Sequence, residues 1–139
     1  MFFPSFSLLR KCESIWRCSS VWNKFLAAKG KVIVEPSGSS QAAFELARDD
    51  YNNEIRETGE CILLAVFRDK MSEGISFNDE FARRVICVGI PYPSSYERTI
   101  KAKKAYNDEQ RKLRNKTLLP GNEWYSQQAY RAIAQALGR

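Results

Sequence analysis

Short apolar segments alternate with helix-like segments along most of the chain, and this alternation constrains the fold more than any other feature. Residues 62–67 and 84–90 are largely apolar along their length, as strands buried on both faces of a parallel sheet are. Residues 31–35 form a β-branched run that Pro36 stops. The pattern predicts an α/β fold with parallel strands joined by crossover helices.

Helix signals fill the intervals between these strands. If residues 1–3 end a first strand, the signals predict helices that start at Ser5 or Ser7, at residue 41 and near residue 97. A last helix follows a turn at Pro120–Gly121, with Asn122 as its N-cap. The helix over residues 41–52, capped from the loop at residues 37–40, is expected to carry an apolar face of Ala43, Leu46, Ala47 and Tyr51.

Composition limits the classes of protein that this chain can represent. At 139 residues, with 44% hydrophobic and 27% charged residues, one globular domain is expected and extensive disorder is excluded. No apolar run has the roughly 20 residues of a membrane span, and the start of the chain lacks the features of a secretory signal. We therefore expect neither a membrane anchor nor a signal peptide.

The four cysteines and the missing histidines argue against two kinds of site. No Cys-x-x-Cys pair occurs among the four cysteines, which are Cys12, Cys18, Cys61 and Cys87. This spacing favours four reduced thiols over a metal site. A chain with no histidine also lacks the usual general base of serine and cysteine hydrolases. The three tryptophans, at helical spacing among apolar residues, are interpreted as core residues before base-stacking groups.

The net charge of +6 is concentrated in one segment. Residues 98–116 contain eight basic residues against Asp108 and Glu109, so the remainder of the chain is balanced. A basic stretch of this kind can track a phosphate backbone by releasing condensed counterions. It can equally be a solvated helix face, and the charge pattern alone does not separate these interpretations.

Several short strings occur in the order and spacing of one protein family. They are FFPSFSLL at 2–9, VEP at 34–36, SEGISF at 72–77, GIPYP at 89–93, YND at 106–108, LLPG at 118–121, WY at 124–125, QAYRA at 128–132 and QALGR at 135–139. Together these strings span nearly the whole chain. In their order and spacing, the sequence resembles the second motor domain of the iron–sulfur superfamily 2 DNA helicases, the family of the xeroderma pigmentosum group D helicase.

The resemblance implies a fold, cofactors and partners. It implies that residues 1–139 are an incomplete RecA-like parallel sheet flanked by helices, a fragment carrying the fourth helicase motif to the start of the sixth. In such 5′–3′ enzymes, two RecA-like domains clamp ATP and Mg²⁺ and move along single-stranded or forked DNA. The phosphate loop and the iron–sulfur cysteines belong to the first motor domain, so this chain should not bind the cluster or unwind DNA alone. The implied partners are DNA, that first domain and repair proteins, and the implied location is the nucleus.

Individual site residues follow from the same resemblance. DNA contacts are implied for Ser5, Arg68, Lys70 and Ser72. ATP contacts are implied for Glu73, Gly74, Gln135, Gly138 and Arg139, of which Gln135 and Arg139 are the catalytic candidates because sixth-motif arginines stabilise charge on the γ-phosphate. The alternatives are a simple loop turn at 73–74 and an ordinary helix end at 135–139 with glycine as its C-cap.

Two departures from the family pattern leave two functions open. Asp69 stands where the family usually has glycine, and Ser76 stands where it usually has aspartate. These changes favour a degenerate remnant with weak nucleic-acid or protein binding, whereas retention of Gln135, Gly138 and Arg139 favours a piece of a working helicase. By the resemblance, the last strand of the sheet follows Arg139. We therefore expect the isolated chain to show marginal stability or self-association.

Overall fold

The computed structural model describes residues 1–38, 41–67, 81–113 and 117–137. These ranges contain three strands and five helices. In chain order they are β1 (Phe2–Phe3), α1 (Phe6–Cys18), α2 (Ser20–Lys29), β2 (Val32–Val34), α3 (Gln41–Thr58), β3 (Ile62–Val66), α4 (Arg98–Lys112) and α5 (Gly121–Leu137). The predicted α/β class is therefore confirmed.

The three strands form one parallel sheet in the order β1-β3-β2. Phe3 pairs with Val66 on one side of β3, and Val34 pairs with Leu64 on the other. Because β3 follows β2 in the chain and lies beside it, α3 is the crossover helix between them. This is the connection that a parallel sheet requires.

The sheet is covered on both faces, which explains why its strands are apolar throughout. Side chains alternate along β3, so Leu63 and Ala65 join a core cluster that includes Phe44 and Tyr51 of α3. Leu64 and Val66 point to the opposite face, in a cluster that includes residues of α1 and α2. The second cluster contains Leu9, Trp22 and Phe3, with Trp16 packed against it. The core interpretation is confirmed for Trp16 and Trp22.

The prediction of a full strand over residues 84–90 is wrong. Only Cys87 pairs with the sheet, as an isolated parallel bridge to Phe2. The Phe2 amide donates to the Ile86 carbonyl and the Val88 amide donates to the Phe2 carbonyl, both at 2.8 Å. Gly89 then turns the chain with a φ of 82°, a conformation that ends an extended run. Ile86 and Ile90 remain about half exposed, at 49% and 47%.

The helices differ from their predicted forms in three places. The pattern did not predict α2, whose start is capped by the Ser19 hydroxyl and whose end lies at Gly30. The helix α3 continues to Thr58, and its buried face contains Phe44 and Tyr51, while Leu46 is 72% exposed. The helix α5 begins at Gly121 rather than after an Asn122 cap, because the Pro120 carbonyl already accepts from the Trp124 amide at 2.8 Å.

The helices α4 and α5 form a hairpin held by side chains of α4. The Asn107 amide group donates to the Leu119 carbonyl at 3.1 Å, and the Asp108 carboxylate accepts from the Gly121 amide at 2.8 Å. Arg111 donates to the Leu118 carbonyl at 2.7 Å. These contacts join two of the family-like strings, YND and LLPG, into one structural connection, which we call the hairpin clamp (Asn107, Asp108, Arg111 and residues 118–121).

Candidate functional site

The carboxyl edge of the sheet is the natural place for a site in this architecture. All three strands are parallel, so the residues that follow β1, β2 and β3 emerge at the same edge. Pro4 and Ser5 follow β1, Glu35 and Pro36 follow β2, and Phe67 follows β3. Gly89 also reaches this edge, since a Cβ there would lie 3.7 Å from the Pro4 ring. In open α/β sheets, ligands bind outside the carboxyl ends of the strands.

Ser5 is the described residue at this edge with a predicted DNA contact. It is the N-cap of α1, and its side-chain oxygen accepts from the Leu8 amide at 3.3 Å. The residue is exposed, and a hydroxyl that accepts one bond can still donate its own proton. The first turn of α1 has no acidic residue. The positive end of the helix dipole and a hydroxyl donor therefore meet at the same exposed corner, an arrangement that suits a phosphate.

Glu35 is a buried carboxylate at this edge that the sequence reasoning did not single out. It is 1% exposed, and its Oε2 accepts from the Val66 amide at 2.7 Å. In the parallel ladder, the Ile62 amide donates to the Lys31 carbonyl, and the same spacing would pair Val66 with the Glu35 carbonyl. The side chain takes that bond instead, while Arg10 contacts the carbonyl at 3.4 Å.

The consequence is that Glu35 ends the pairing of β2 with β3 and fixes where their carboxyl ends separate. The amide that it satisfies belongs to the last residue of β3, directly before Phe67 and the segment that resembles the fifth motif. An acidic residue at the end of a β-branched run and next to a proline is the sequence signal that marked this position.

The other predicted site residues are distributed unevenly. Gln135 lies exposed on the last turn of α5, whose neighbouring Ala132 and Ala136 are buried against the core. No hydrogen bond or ion pair links Gln135 to Ser5 in the described part of the chain. The remaining candidates lie outside the described residues: Arg68, Lys70, Ser72, Glu73, Gly74, Gly138 and Arg139.

A cavity of about 460 Å³ lies at the opposite, amino edge of the sheet. Its lining includes Phe2, Cys61 and Phe81, together with Tyr51, whose hydroxyl donates to the Phe81 carbonyl. Burial raises the pKa of Tyr51 to about 12, with a smaller contribution from Cys61. Burial, followed by the nearby Glu54 carboxylate, raises the pKa of the Cys61 thiol to about 11. Both groups are held neutral, so this cavity has the character of packing rather than of acid–base chemistry.

The described residues contain no cluster of metal-ligating side chains. Within residues 1–38, 41–67, 81–113 and 117–137, no group of three or more cysteine or carboxylate side chains converges to hold a metal ion. The four cysteines are free thiols. No helix in the same ranges is long and apolar enough to cross a membrane.

Comparison with known proteins identifies the class to which this fold and edge belong. The family model described as helicase C-terminal domain matches residues 1–139, and the chain belongs to that family. The resemblance to iron–sulfur superfamily 2 helicases is thereby confirmed.

Individual relatives agree with the motif strings, which resemble those of the Fanconi anaemia group J helicase. A protein from Gallus gallus, "Fanconi anemia group J protein homolog", is 42% identical over 141 residues, covering 99% of this chain and 11% of the relative. "Regulator of telomere elongation helicase 1 homolog" proteins from Anopheles gambiae and Drosophila ananassae are 38% and 37% identical over all of this chain, which covers 14% of each. The chain thus spans about a seventh or less of the length of these relatives.

Proposed function

We propose that this chain forms part of the second motor domain of an ATP-dependent 5′–3′ DNA helicase that acts in genome maintenance. In this function it supplies single-stranded DNA contacts and the partner face of the ATP cleft. The first motor domain, in the same full-length protein, supplies the phosphate loop and the Mg²⁺ ligands. The proposed substrate is single-stranded or forked DNA, the proposed location is the nucleus, and repair proteins are the proposed further partners.

The observation that carries this proposal is the common carboxyl edge of the three parallel strands. Ser5 presents a hydroxyl and a helix N-terminus there, and β3 leads directly from Phe67 into the segment that contains Arg68, Lys70 and Ser72. Ser5 thus follows β1 in the sequence, and Arg68, Lys70 and Ser72 follow the neighbouring strand β3. Contacts of this kind hold a phosphate backbone in position without reading its sequence.

The ATP-facing role rests on the family membership together with the position of α5. Buried Ala132 and Ala136 fix the last turns of this helix to the core, which leaves Gln135 exposed next to residues 138–139. In the proposed function, Gln135 and Arg139 approach the γ-phosphate from the second domain, and Glu73 and Gly74 contact the nucleotide. An arginine in this role stabilises charge that develops during phosphoryl transfer.

Single-stranded DNA binding by the chain tests the proposal. Binding of a fluorescent dT20 oligonucleotide is measured by anisotropy at several salt concentrations for the wild type and for an Arg68→Ala, Lys70→Ala double variant. Each lost phosphate contact lowers the slope of log K against log salt by about 0.7, so the double variant should lower it by about 1.4. The matched control is Lys11→Ala, Lys24→Ala, which removes the same charge from exposed positions on α1 and α2. An equal effect of both double variants would contradict the proposed DNA track.

A second candidate function is a non-catalytic remnant with weak nucleic-acid or protein binding. The observation that favours it is the pair of departures at Asp69 and Ser76, within the segment expected to touch DNA and nucleotide. An added carboxylate repels phosphates, so Asp69→Gly should tighten dT20 binding in a working track. If the wild type does not bind and Asp69→Gly restores binding, the remnant function is favoured. Salt-sensitive binding by the wild type that the Arg68→Ala, Lys70→Ala variant loses favours the helicase function.

A further inference from the structure

Within the described part of the chain, the cations of α4 have no acidic partners. Six basic residues lie on this helix, and in the described part of the chain none of them makes an ion pair: Arg98, Lys101, Lys103, Lys104, Arg111 and Lys112. By contrast, five of the eight basic residues up to Phe67 are ion-paired: Arg10, Arg17, Lys29, Lys31 and Arg48. Positive charge on α4 is therefore not neutralised within the described fold.

Aromatic rings lie beside these cations. The Lys101 ammonium group is 5.8 Å from the centre of the Tyr96 ring, and the Lys103 ammonium group is 4.9 Å from that of Tyr106. Tyr96 is 85% exposed and Tyr106 is 49% exposed, so both rings have open surface. A third ring, Tyr125, lies 4.9 Å from Lys104 but is partly buried and stacked on Tyr92. The first two pairs each combine an exposed ring with an adjacent ammonium group.

The hairpin clamp holds this surface on a fixed support. Asn107, Asp108 and Arg111 bind the turn before α5 from one face of α4, and Lys101 and Lys103 flank that face. Asp108, one of two acidic residues on the helix, is thereby committed to the Gly121 amide. Glu109 remains as the second, together with Glu97 at the helix start. Lys101 and Lys103 are two positions apart, so they lie on opposite flanks of the helix, about 10 Å from each other, a distance that a few nucleotides of a single strand can cross.

We propose that α4 and Tyr96 form a second binding surface for a single-stranded polynucleotide, whose phosphates contact Lys101 and Lys103 and whose bases stack on Tyr96 and Tyr106. Proteins that bind single strands without sequence preference combine a cationic track with exposed aromatic rings. An acidic peptide would use the cations but gains little from open tyrosine faces, and a duplex keeps its bases stacked on each other. The inference rests on the proposed DNA-binding function but uses a surface other than the carboxyl edge.

The test uses two pairs of substitutions that separate charge from stacking. Lys101→Gln, Lys103→Gln should weaken dT20 binding about tenfold at low salt and lower the salt slope by about 1.4, because two phosphate contacts are lost. Tyr96→Ala, Tyr106→Ala should weaken binding about fivefold or more per stacked base while leaving the salt slope unchanged. Thermal unfolding followed by circular dichroism confirms that each variant is folded.

The matched control is Lys11→Gln, Lys24→Gln, which removes two exposed lysines from α1 and α2. The proposal is overturned if this control weakens binding as much as the α4 lysine pair, or if the tyrosine pair leaves binding unchanged. It is also overturned if a 20-residue polyglutamate peptide binds as tightly as dT20, since the surface would then recognise acidic protein. Comparison of dT20 with U20 identifies whether DNA or RNA is the preferred source of the strand.

The carboxyl edge is assessed separately with the Arg68→Ala, Lys70→Ala variant. If that variant binds normally and the α4 variants do not, the edge proposal fails and the α4 proposal stands. If the reverse holds, the α4 proposal fails alone. Additive losses in the combined variant would support two independent contacts on one strand.

Discussion

Gly121→Ala should damage the hairpin clamp more than a single methyl group normally does. A Cβ at residue 121 would lie 2.5 Å from the Lys104 carbonyl oxygen, 2.9 Å from the Lys104 Cα and 2.9 Å from Asp108 Oδ2. Two of these atoms are backbone of α4, so they cannot move aside by a rotamer change. The substitution therefore has to push α4 and α5 apart.

The size of the effect follows from these distances. Ordinary contact begins near 3.4 Å, so the helices must separate by about 0.9 Å. That movement stretches the 2.8 Å bond between the Gly121 amide and the Asp108 carboxylate beyond hydrogen-bonding distance. Loss of a bond to a charged group costs about 1.5–3 kcal/mol, and overpacking costs about 1–3 kcal/mol. Alanine recovers up to about 1 kcal/mol through helix propensity, which leaves a net destabilisation of about 3 kcal/mol.

Urea denaturation followed by circular dichroism measures this loss as a shift of the midpoint. With a slope of about 2 kcal/mol per molar urea, the midpoint should fall by about 1.5 M. Gly59→Ala is the matched control, because the same methyl group at residue 59 meets nothing within 4 Å and is opposed only by the φ of 70°. That conformational strain costs about 1–2 kcal/mol. A loss for Gly121→Ala no greater than for the control would refute the clamp.

Two further predictions concern buried polar groups. Glu35→Ala leaves the Val66 amide without its carboxylate acceptor and should lower the free energy of unfolding by about 2–3 kcal/mol, measured by thermal unfolding. Glu35→Gln keeps an acceptor and should cost less. Equal losses would contradict the role of Glu35 as the acceptor for Val66. The pKa of Tyr51, raised to about 12, means that the folded state holds its proton more tightly than the unfolded state, so stability present below about pH 10 is lost as the pH rises to about 12. Cys61, raised to about 11, acts in the same direction from about pH 9. In urea titrations between pH 8 and 11.5, Tyr51→Phe should cost about 1 kcal/mol at pH 8 through the lost bond to Phe81 and should decline less steeply than the wild type.

The fold class was predictable because strand and helix signals alternate and because parallel strands are apolar on both faces. The start of α1 was predictable for a local reason, since Ser5 is an N-cap whose side chain accepts from Leu8. The helix α2 also had local signals, Ser19 before it and Gly30 after it, but the sequence pattern did not assign it. Local side-chain and glycine signals therefore mark where these helices begin and end.

Other features depend on tertiary contacts that a pattern does not contain. An apolar run at residues 84–90 gives the same signal whether it pairs along its length or touches the sheet only at Cys87. The buried face of α3 contains Phe44 rather than Leu46 because the rotation of the helix is set by the β-sheet beneath it. At the candidate site, the family resemblance pointed to Ser5 and Gln135, but the role of Glu35 in ending the ladder requires the register of β2 against β3. The sequence of one strand does not determine its register against another strand.

The family-like strings divide into two groups once their contacts are known. The strings at 2–9, 34–36, 106–108 and 118–121 each contain a residue with a structural role, such as the Ser5 cap, the Glu35 bond to β3 or the hairpin clamp. Such residues are needed for the fold whether or not the protein works as a motor. The departures at Asp69 and Ser76 fall instead in residues 68–80, which lie outside the described part of the chain. Retention of the first group therefore explains why the chain folds as a helicase domain, and only measurements on residues 68–76 and on α4 distinguish a working DNA track from a remnant.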